Sequence, residues 1–311
     1  MIPGAVGTAG GTLLLTGANG FVGRHVERSL RNGGFSGMAL ATTPAGWDIR
    51  DAAAVRRLVD EVRPTAVLHL AAQSFVPRSF EDPRETLDIN LIGTLNLLQS
   101  LSGCGFAGRL VYVSSGDVYG RVPEEALPVD ESRTPEPRSP YAVSKLAAEQ
   151  LCLQWGRTEG LQAIIARPFN HVGPDQDPRF VLPALARQVA LIEAGRQAPV
   201  IEAGDIDTTR DFTDVRDIVA AYDAMFRAGQ AGRIYLVASG IERRVRDLLT
   251  DMCRLAGIEP RIHQDPAKLR PAEQRRMVAD AALLTQDTGW RPQLPFETTL
   301  SDILDTARKA I

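Results

Sequence analysis

Seven residues near the start of the chain, Gly17-Ala-Asn-Gly20-Phe-Val-Gly23, restrict its fold more than any other stretch. They follow directly on an apolar run, Thr12–Leu15, and lead into a helical pattern over Gly20–Asn32. Glycines spaced in this way permit a tight turn, let backbone approach a pyrophosphate, and bring a helix hard against a strand. A helix starting there presents free N–H groups and the positive end of its dipole to phosphate. The stretch therefore predicts a strand–turn–helix unit built to hold a dinucleotide.

The pattern that follows repeats the unit. Met38–Thr42, Ala66–Ala71, Leu110–Ser114 and Leu161–Arg167 read as strands. Asp51–Val62, Leu87–Leu101 and Pro140 to about Trp155 read as helices between them. Short strands that are apolar on both faces, alternating with helices, predict an α/β fold with a doubly wound parallel sheet. Proline at Pro140 suits the first turn of a helix, where its missing N–H costs little. After about Pro168 the order is less regular, with helices at Pro183–Glu193, Val215–Arg227 and Val245–Leu255 and short strands near Val200 and Ile234. Residues 1–168 are expected to form a dinucleotide-binding domain, with later returns near 211–238. Residues 169–311 are expected to form a smaller portion, mainly for substrate.

Composition excludes several alternatives. Of the 311 residues 44% are hydrophobic and 23% charged, values at which a chain of this length buries a sizeable core. A formal net charge of -3 without any dense basic run argues against nucleic acid or an anionic membrane as the main partner. No run approaches the ~20 apolar residues of a membrane span. Cys104, Cys152 and Cys253 are odd in number and far apart, so free thiols in a reducing cytoplasm are expected. The four histidines (His25, His69, His171, His263) form no ligand pair at helical spacing, so no metal is expected. His69, inside an apolar strand, reads as a satisfied core histidine, and Trp290 as packing. Residues 1–11 lack a basic segment and a long apolar run, and read as a flexible tail.

Tyr141 and Lys145 stand four residues apart at the start of a helix and so share one face. An ammonium beside a phenol favours the phenolate and is expected to pull Tyr141 down from a pKa of about 10, making it a general acid or base. Ser115 lies just past the fourth strand, at the carboxyl edge where open α/β sheets bind ligands. The glycine turn, Ser115, Tyr141 and Lys145, in that order, are more specific than any one of them.

These motifs resemble the extended short-chain dehydrogenase/reductase family over nearly the whole chain. The resemblance is carried by Gly17–Gly23, His69-Leu-Ala-Ala72, Asn90, Ser114-Ser-Gly-Asp-Val-Tyr-Gly120 and Tyr141-Ala-Val-Ser-Lys145. It implies a Rossmann-type domain in which Ser115 bonds the substrate carbonyl, Tyr141 donates the proton and Lys145 holds the nicotinamide ribose. It places the cofactor along Gly17, Asn19, Gly20, Phe21, Val22 and Arg24, with Asp48 and Ile49 beside the adenine. Leu70, Ala71, Ala72, Asn90, Ser114 and Pro168 complete the cofactor set. Asn90 is expected to anchor a water or backbone near Lys145. Arg167-Pro-Phe-Asn-His-Val-Gly-Pro174, Gly204-Asp-Ile-Asp-Thr-Thr-Arg-Asp211 and Arg270-Pro-Ala-Glu273 resemble the GDP-mannose branch. By that likeness Asn170 and Arg210 meet a diphosphate, Arg270 and Glu273 hold the diphosphate and guanosine ribose, and Val181 lies along the substrate.

That branch holds both GDP-mannose 4,6-dehydratases and GDP-4-keto-6-deoxy-D-mannose reductases. The similar dehydratases carry a threonine where Ser115 stands and a glutamate where Asp117 stands. Asp117 is one methylene shorter, a misplacement of about 1 Å that can cost about a hundredfold. Ala184 stands where dehydratases carry a basic residue. The expectation is therefore reduction of a GDP-linked 4-keto sugar to GDP-D-rhamnose, with the dehydratase or another nucleotide-sugar 4-reductase or epimerase as the alternative. A cofactor sensor without turnover is more remote, since Ser115, Tyr141 and Lys145 are all kept. The second strand, ending Ala39-Leu-Ala-Thr-Thr43, has no acid to bind a ribose 2′-hydroxyl, so NADPH is expected, with NADH accepted. Family likeness also implies a homodimer, paired through Leu91–Leu101 and Ala142–Trp155.

Overall fold

The computed structural model describes residues 11–265 and 274–311. Residues 1–10 of the expected N-terminal tail (1–11), Arg270 and Glu273 lie outside the described residues.

Five strands in the first half and one in the second form a single parallel sheet. They are β1 (Thr12–Thr16), β2 (Ala39–Thr42), β3 (Ala66–His69), β4 (Arg109–Val113), β5 (Gln162–Pro168) and, later in the chain, β9 (Ile234–Val237). Their order is β2-β1-β3-β4-β5-β9, and each neighbouring pair is parallel. All carboxyl ends therefore leave at one edge. The strand order reverses between β1 and β3, and ligands of open α/β sheets bind at such a reversal. β1, β3 and β5 are buried on both faces along nearly their whole length. One face packs on α1 (Phe21–Arg31) and α8 (Val215–Ala228), the other on α2 (Ala52–Val62), α5 (Gly93–Gly103) and α6 (Pro140–Glu159).

Local signals start and stop these helices. Asp51 caps α2 by accepting from Ala53 and Ala54 N–H, and Ser139 caps α6 ahead of Pro140 by accepting from Ala142. Gly160 ends α6 in the left-handed region that glycine allows.

The helix expected over Leu87–Leu101 is not continuous. α3 (Val76–Glu81) and α4 (Pro83–Leu87) precede it, and a π-helical turn, Asp88–Ile92, separates α4 from α5. Asp82 accepts from Glu85 N–H and Pro83 opens α4, which explains the earlier start. Two residues mark the turn: the Asn90 side chain is bonded to Gln73 and Ser144, and Gly93, where a Cβ would stand 2.5 Å from Ile49, lets the backbone come close.

The second half contains two small sheets. β6 (Asn170–Val172), β8 (Thr209–Asp214) and β10 (Glu242–Arg244) form one, and β7 (Val200–Ala203) with β11 (Arg261–Gln264) forms the other. α7 (Val181–Glu193), α9 (Val245–Ala256) and α11 (Phe296–Lys309) enclose a core of Leu185, Val189, Ile201, Leu249, Met252, Ile303 and Leu304. α10 (Ala282–Thr288) instead packs on α8 and β9. Trp290, just beyond it, is buried and donates from Nε1 to Asp217 O at 3.0 Å.

Candidate active site

Gly17 leaves β1 with a φ of 76°, and a Cβ there would lie 2.8 Å from Ala71 N. A side chain is thus excluded at the place where the turn crosses the end of β3. A Cβ on Gly23 would lie 2.3 Å from Gly17 O and 2.5 Å from Ala18 O, so that helix and turn touch backbone to backbone. Gly20, by contrast, is exposed and meets only Gly17 O, at 3.2 Å. It caps α1 without a side chain, and no acid stands in the first turn. This cradle fits a pyrophosphate: open backbone, unspent N–H donors and no competing negative charge. Thr42 and Thr43 close β2 without an acid, as the sequence requires.

The residues expected around this cradle are spread along the same edge. Asn19 is exposed and Val22 packs against the sheet core. Phe21 lies between two imidazoles, edge-on to His25 at 5.3 Å and stacked on His171 at 6.1 Å. Leu70, Ala71 and Ala72 follow β3, Pro168 ends β5, and Ser114 follows β4. Ser114 Oγ is buried without a hydrogen-bond partner among the described residues. Ile49 is buried against Gly93, and the Asp48 carboxylate pairs with Arg50, which lowers its pKa. Arg24 donates to two carbonyls, Asn19 O at 2.8 Å and Asp175 O at 2.9 Å. Arg28 binds the Asp175 carboxylate at 2.6 Å. α1 is thereby braced against the loop that leads to α7.

Ser115 and Tyr141 meet beyond the carboxyl end of β4, and Lys145 follows Tyr141 by one turn of α6. Ser115 caps a short 3-10 turn (Gly116–Tyr119), its Oγ accepting from Asp117 N–H at 3.1 Å. Tyr141, in the first turn of α6, is bonded to Ser115. The expectation that Lys145 draws the Tyr141 pKa down is not met. Burial first, and the Asp117 carboxylate second, raise it, against the Ser115 hydrogen bond. The phenol is therefore a firmly protonated donor. Lys145 is 4% exposed, and its Nζ stands 4.7 Å from the centre of the Tyr112 ring. Burial lowers its pKa to about 8, opposed by Glu149 one turn on.

Asp117 borders the cleft. It remains open to solvent there, but the surrounding protein raises its carboxyl pKa, against the pull of Arg210. Arg210, on β8, is held by the carbonyls of Thr209 at 2.7 Å and Gln274 at 3.0 Å. Asn170 starts β6, exposed, in register with Phe212 of β8. Val181, 44% exposed, opens α7. Asn170 and Arg210 thus stand on the neighbouring strands β6 and β8, with Asp117 in electrostatic reach of Arg210 and Tyr141.

Several residues of this site were not singled out from sequence. Arg167 and Glu149, 2% and 0% exposed, form a two-pronged ion pair at 3.0 and 2.6 Å, and Arg167 also donates to Tyr119 Oη at 2.8 Å. The signal was spacing: Glu149 follows Lys145 by four residues, as Lys145 follows Tyr141. Tyr112, which backs Lys145, gave no signal, since a tyrosine in a buried strand reads as packing. Among the described residues, no group of three or more His, Cys, Asp or Glu side chains could hold a metal ion. Nor is any helix long and apolar enough to cross a membrane.

The chain is similar to known proteins along most of its length. The family model described as GDP-mannose 4,6 dehydratase matches residues 41–303. The chain is 49% identical to a GDP-6-deoxy-D-mannose reductase of Pseudomonas aeruginosa, over 94% of this chain and 95% of that protein. It is 29% identical to a GDP-mannose 4,6-dehydratase of Vibrio cholerae, over 83% of this chain and 76% of that one. Among solved structures, RMD from Pseudomonas aeruginosa complexed with NADPH superposes with a TM-score of 0.92 at 46% identity, covering 97% of this chain and all (100%) of that one. A Thermus thermophilus UDP-glucose 4-epimerase complex with NAD gives 0.84 at 32% identity, covering 96% and 100%. The chain belongs to the extended short-chain dehydrogenase/reductase family, in its GDP-mannose 4,6-dehydratase branch.

Proposed function

We propose that this protein reduces the C4 keto group of GDP-4-dehydro-6-deoxy-D-mannose to give GDP-D-rhamnose. The observation that carries this reading is the 49% identity, along almost the full length of both chains, to a GDP-6-deoxy-D-mannose reductase. The cofactor is NADPH, supported by the NADPH complex of the similar structure and by the acid-free end of β2. When bound, NADPH supplies the hydride that adds to C4.

The chain's own residues do the rest. Ser115 Oγ donates to the C4 oxygen and draws charge onto it. The Tyr141 hydroxyl then gives its proton to that oxygen as the carbonyl electron pair moves there. A phenol held protonated by burial suits this direction, because reduction consumes a proton. Lys145, still charged below about pH 8, holds the ribose and offsets the phenolate left behind. Asn170, Val181, Arg210, Arg270 and Glu273 hold the GDP-sugar, arginines to phosphate and carboxylate to ribose. Asp117 stands beside the sugar, its carboxyl pKa pushed upward by desolvation from the protein around it, although its side chain still reaches solvent. Residues 1–168, with the return over 211–238, carry the cofactor, and 169–311 mainly carry the sugar nucleotide.

The protein is proposed to work as a homodimer in the cytoplasm. Large apolar side chains left exposed at Phe80, Ile92 and Val143 support pairing in the region of α3, α5 and α6. Three free cysteines suit a reducing compartment. Light scattering should give twice the 33.7 kDa of one chain.

The test mixes the protein with GDP-4-dehydro-6-deoxy-D-mannose and NADPH and follows loss of reduced cofactor while the sugar product is identified. NADPH consumption with a GDP-D-rhamnose product is expected. Conversion of GDP-mannose alone to the 4-keto sugar would instead make Asp117 a dehydratase base and overturn the reductase reading.

A further inference from the structure

We propose that His69 is a positioning residue, locked as the neutral Nε2–H tautomer, that sets the register between the glycine turn and the helix carrying Tyr141 and Lys145. Its kinetic consequence rests on the reductase reading above; its tautomer does not.

Both ring nitrogens are bonded: Nδ1 to Thr16 Oγ1 at 2.7 Å and Nε2 to Thr94 Oγ1 at 3.0 Å. The rest of the network fixes the direction of each bond. Thr94 Oγ1 lies 2.6 Å from Asn90 O, which can only accept, so the threonine's one hydroxyl hydrogen is spent there. Toward His69, Thr94 can then only accept, and Nε2 must carry the proton. At the other end Ala71 N–H donates to Thr16 Oγ1 at 3.2 Å, leaving the Thr16 hydroxyl hydrogen for Nδ1. The Thr94 end requires this tautomer, and the Thr16 end is compatible with it.

The path runs on in both directions. Ala71 is the residue against which Gly17 is packed. Asn90 donates from Nδ2 to Ser144 Oγ at 2.9 Å, and Ser144 donates to Tyr141 O at 2.7 Å. Thr16, His69, Thr94, Asn90 and Ser144 are each at most 1% exposed. No water competes, so every bond is worth more and every broken one costs more. Protonation of the ring is opposed from two sides. Burial and the Lys145 charge hold its pKa down to about 3, and both His69 and Lys145 contact the Tyr112 ring. A threonine on β1, a histidine on β3 and a threonine on α5 thus tie the dinucleotide cradle to the catalytic helix.

Nitrogen-15 NMR on the histidine-labelled full chain tests the tautomer. For His69 a proton on Nε2, a bare Nδ1 and no titration between about pH 5 and 8 are expected. A proton on Nδ1, or titration in that range, overturns the proposal. Thr94→Val and Thr94→Ser test the positioning. The valine should lower kcat about tenfold or more while the Kd for NADPH and the KM for the sugar move less than about threefold, and serine should restore it. Equal kcat per folded molecule in wild type and Thr94→Val, or a serine variant no better than the valine, refutes positioning. Absence of ketoreduction by the wild type would refute the functional reading and leave the NMR result standing.

Discussion

Tyr141 holds its proton under two pressures, the loss of water around the ring and the nearby Asp117 charge. Removing the hydroxyl should therefore abolish proton transfer without disturbing the cradle. Tyr141→Phe is expected to lower turnover by about two to four powers of ten, with NADPH binding by fluorescence titration unchanged. Lys145 sets an alkaline limit. Its folded pKa, lowered to about 8, means the ammonium is present below that pH and lost as pH rises through it. The value of kcat/KM for NADPH, which reports the free enzyme, should fall over that range. A profile flat to pH 10 would contradict the assigned role. Behind Lys145, Glu149→Gln would strand the Arg167 guanidinium in the core. Loss of about 3–5 kcal/mol in denaturant unfolding is expected, because a lone buried charge is left uncompensated.

The elements serve the site through their ends. α1 begins where β1 stops, and Gly23 is what permits the contact between them. Gly23→Ala places a methyl against two carbonyl oxygens of the turn, neither of which can give way without moving the cradle. The Kd for NADPH should rise at least about tenfold, while an unchanged Kd would show that the turn adapts. α2 offers a contrast. Its cap, Asp51, satisfies two N–H groups at one helix end, so Asp51→Ala should cost about 1 kcal/mol of stability and leave turnover per folded molecule as it was. α4 and α5 would be one helix but for the π turn that swings Asn90 toward Gln73 and Ser144, and such turns gather where side chains must be aimed.

The two portions of the chain are stitched together by buried side chains. The Asp217 carboxylate, on α8, accepts from Gln293 and Leu294 N–H, and Asp214 accepts from Thr299 at the start of α11. Asp211 accepts from Ser239, Gly240 and Ala279. α8 and β9 belong to the large sheet's layers, whereas α11 fills the second core. The large sheet and the second portion should thus unfold in one calorimetric transition, and two resolved peaks would show that they are independent. Removing residues 295–311 uncovers Leu300, Ile303 and Leu304 of the second core and should leave no stable protein.

Residue type and period were enough for the large sheet. β1 to β5, α1, α2 and α6 lie within a few residues of their expected bounds, because apolar runs, caps and glycines are local signals. Ser115, Tyr141 and Lys145 are proposed from their fixed offsets to strand and helix ends, and the structure bonds the first two to each other. The small strands β6, β8, β10 and β11 were not. Stretches such as Thr209–Asp214 and Glu242–Arg244 carry charges and have no strand period, and they become strands only because partners supply hydrogen bonds. For the same reason sequence suggested a core role for His69 but not its two bonds, and predicted a lowered Tyr141 where burial raises it. Spacing along the chain fixes which groups can meet. How much water is left around them, and which way each proton points, is settled by distant segments closing over them.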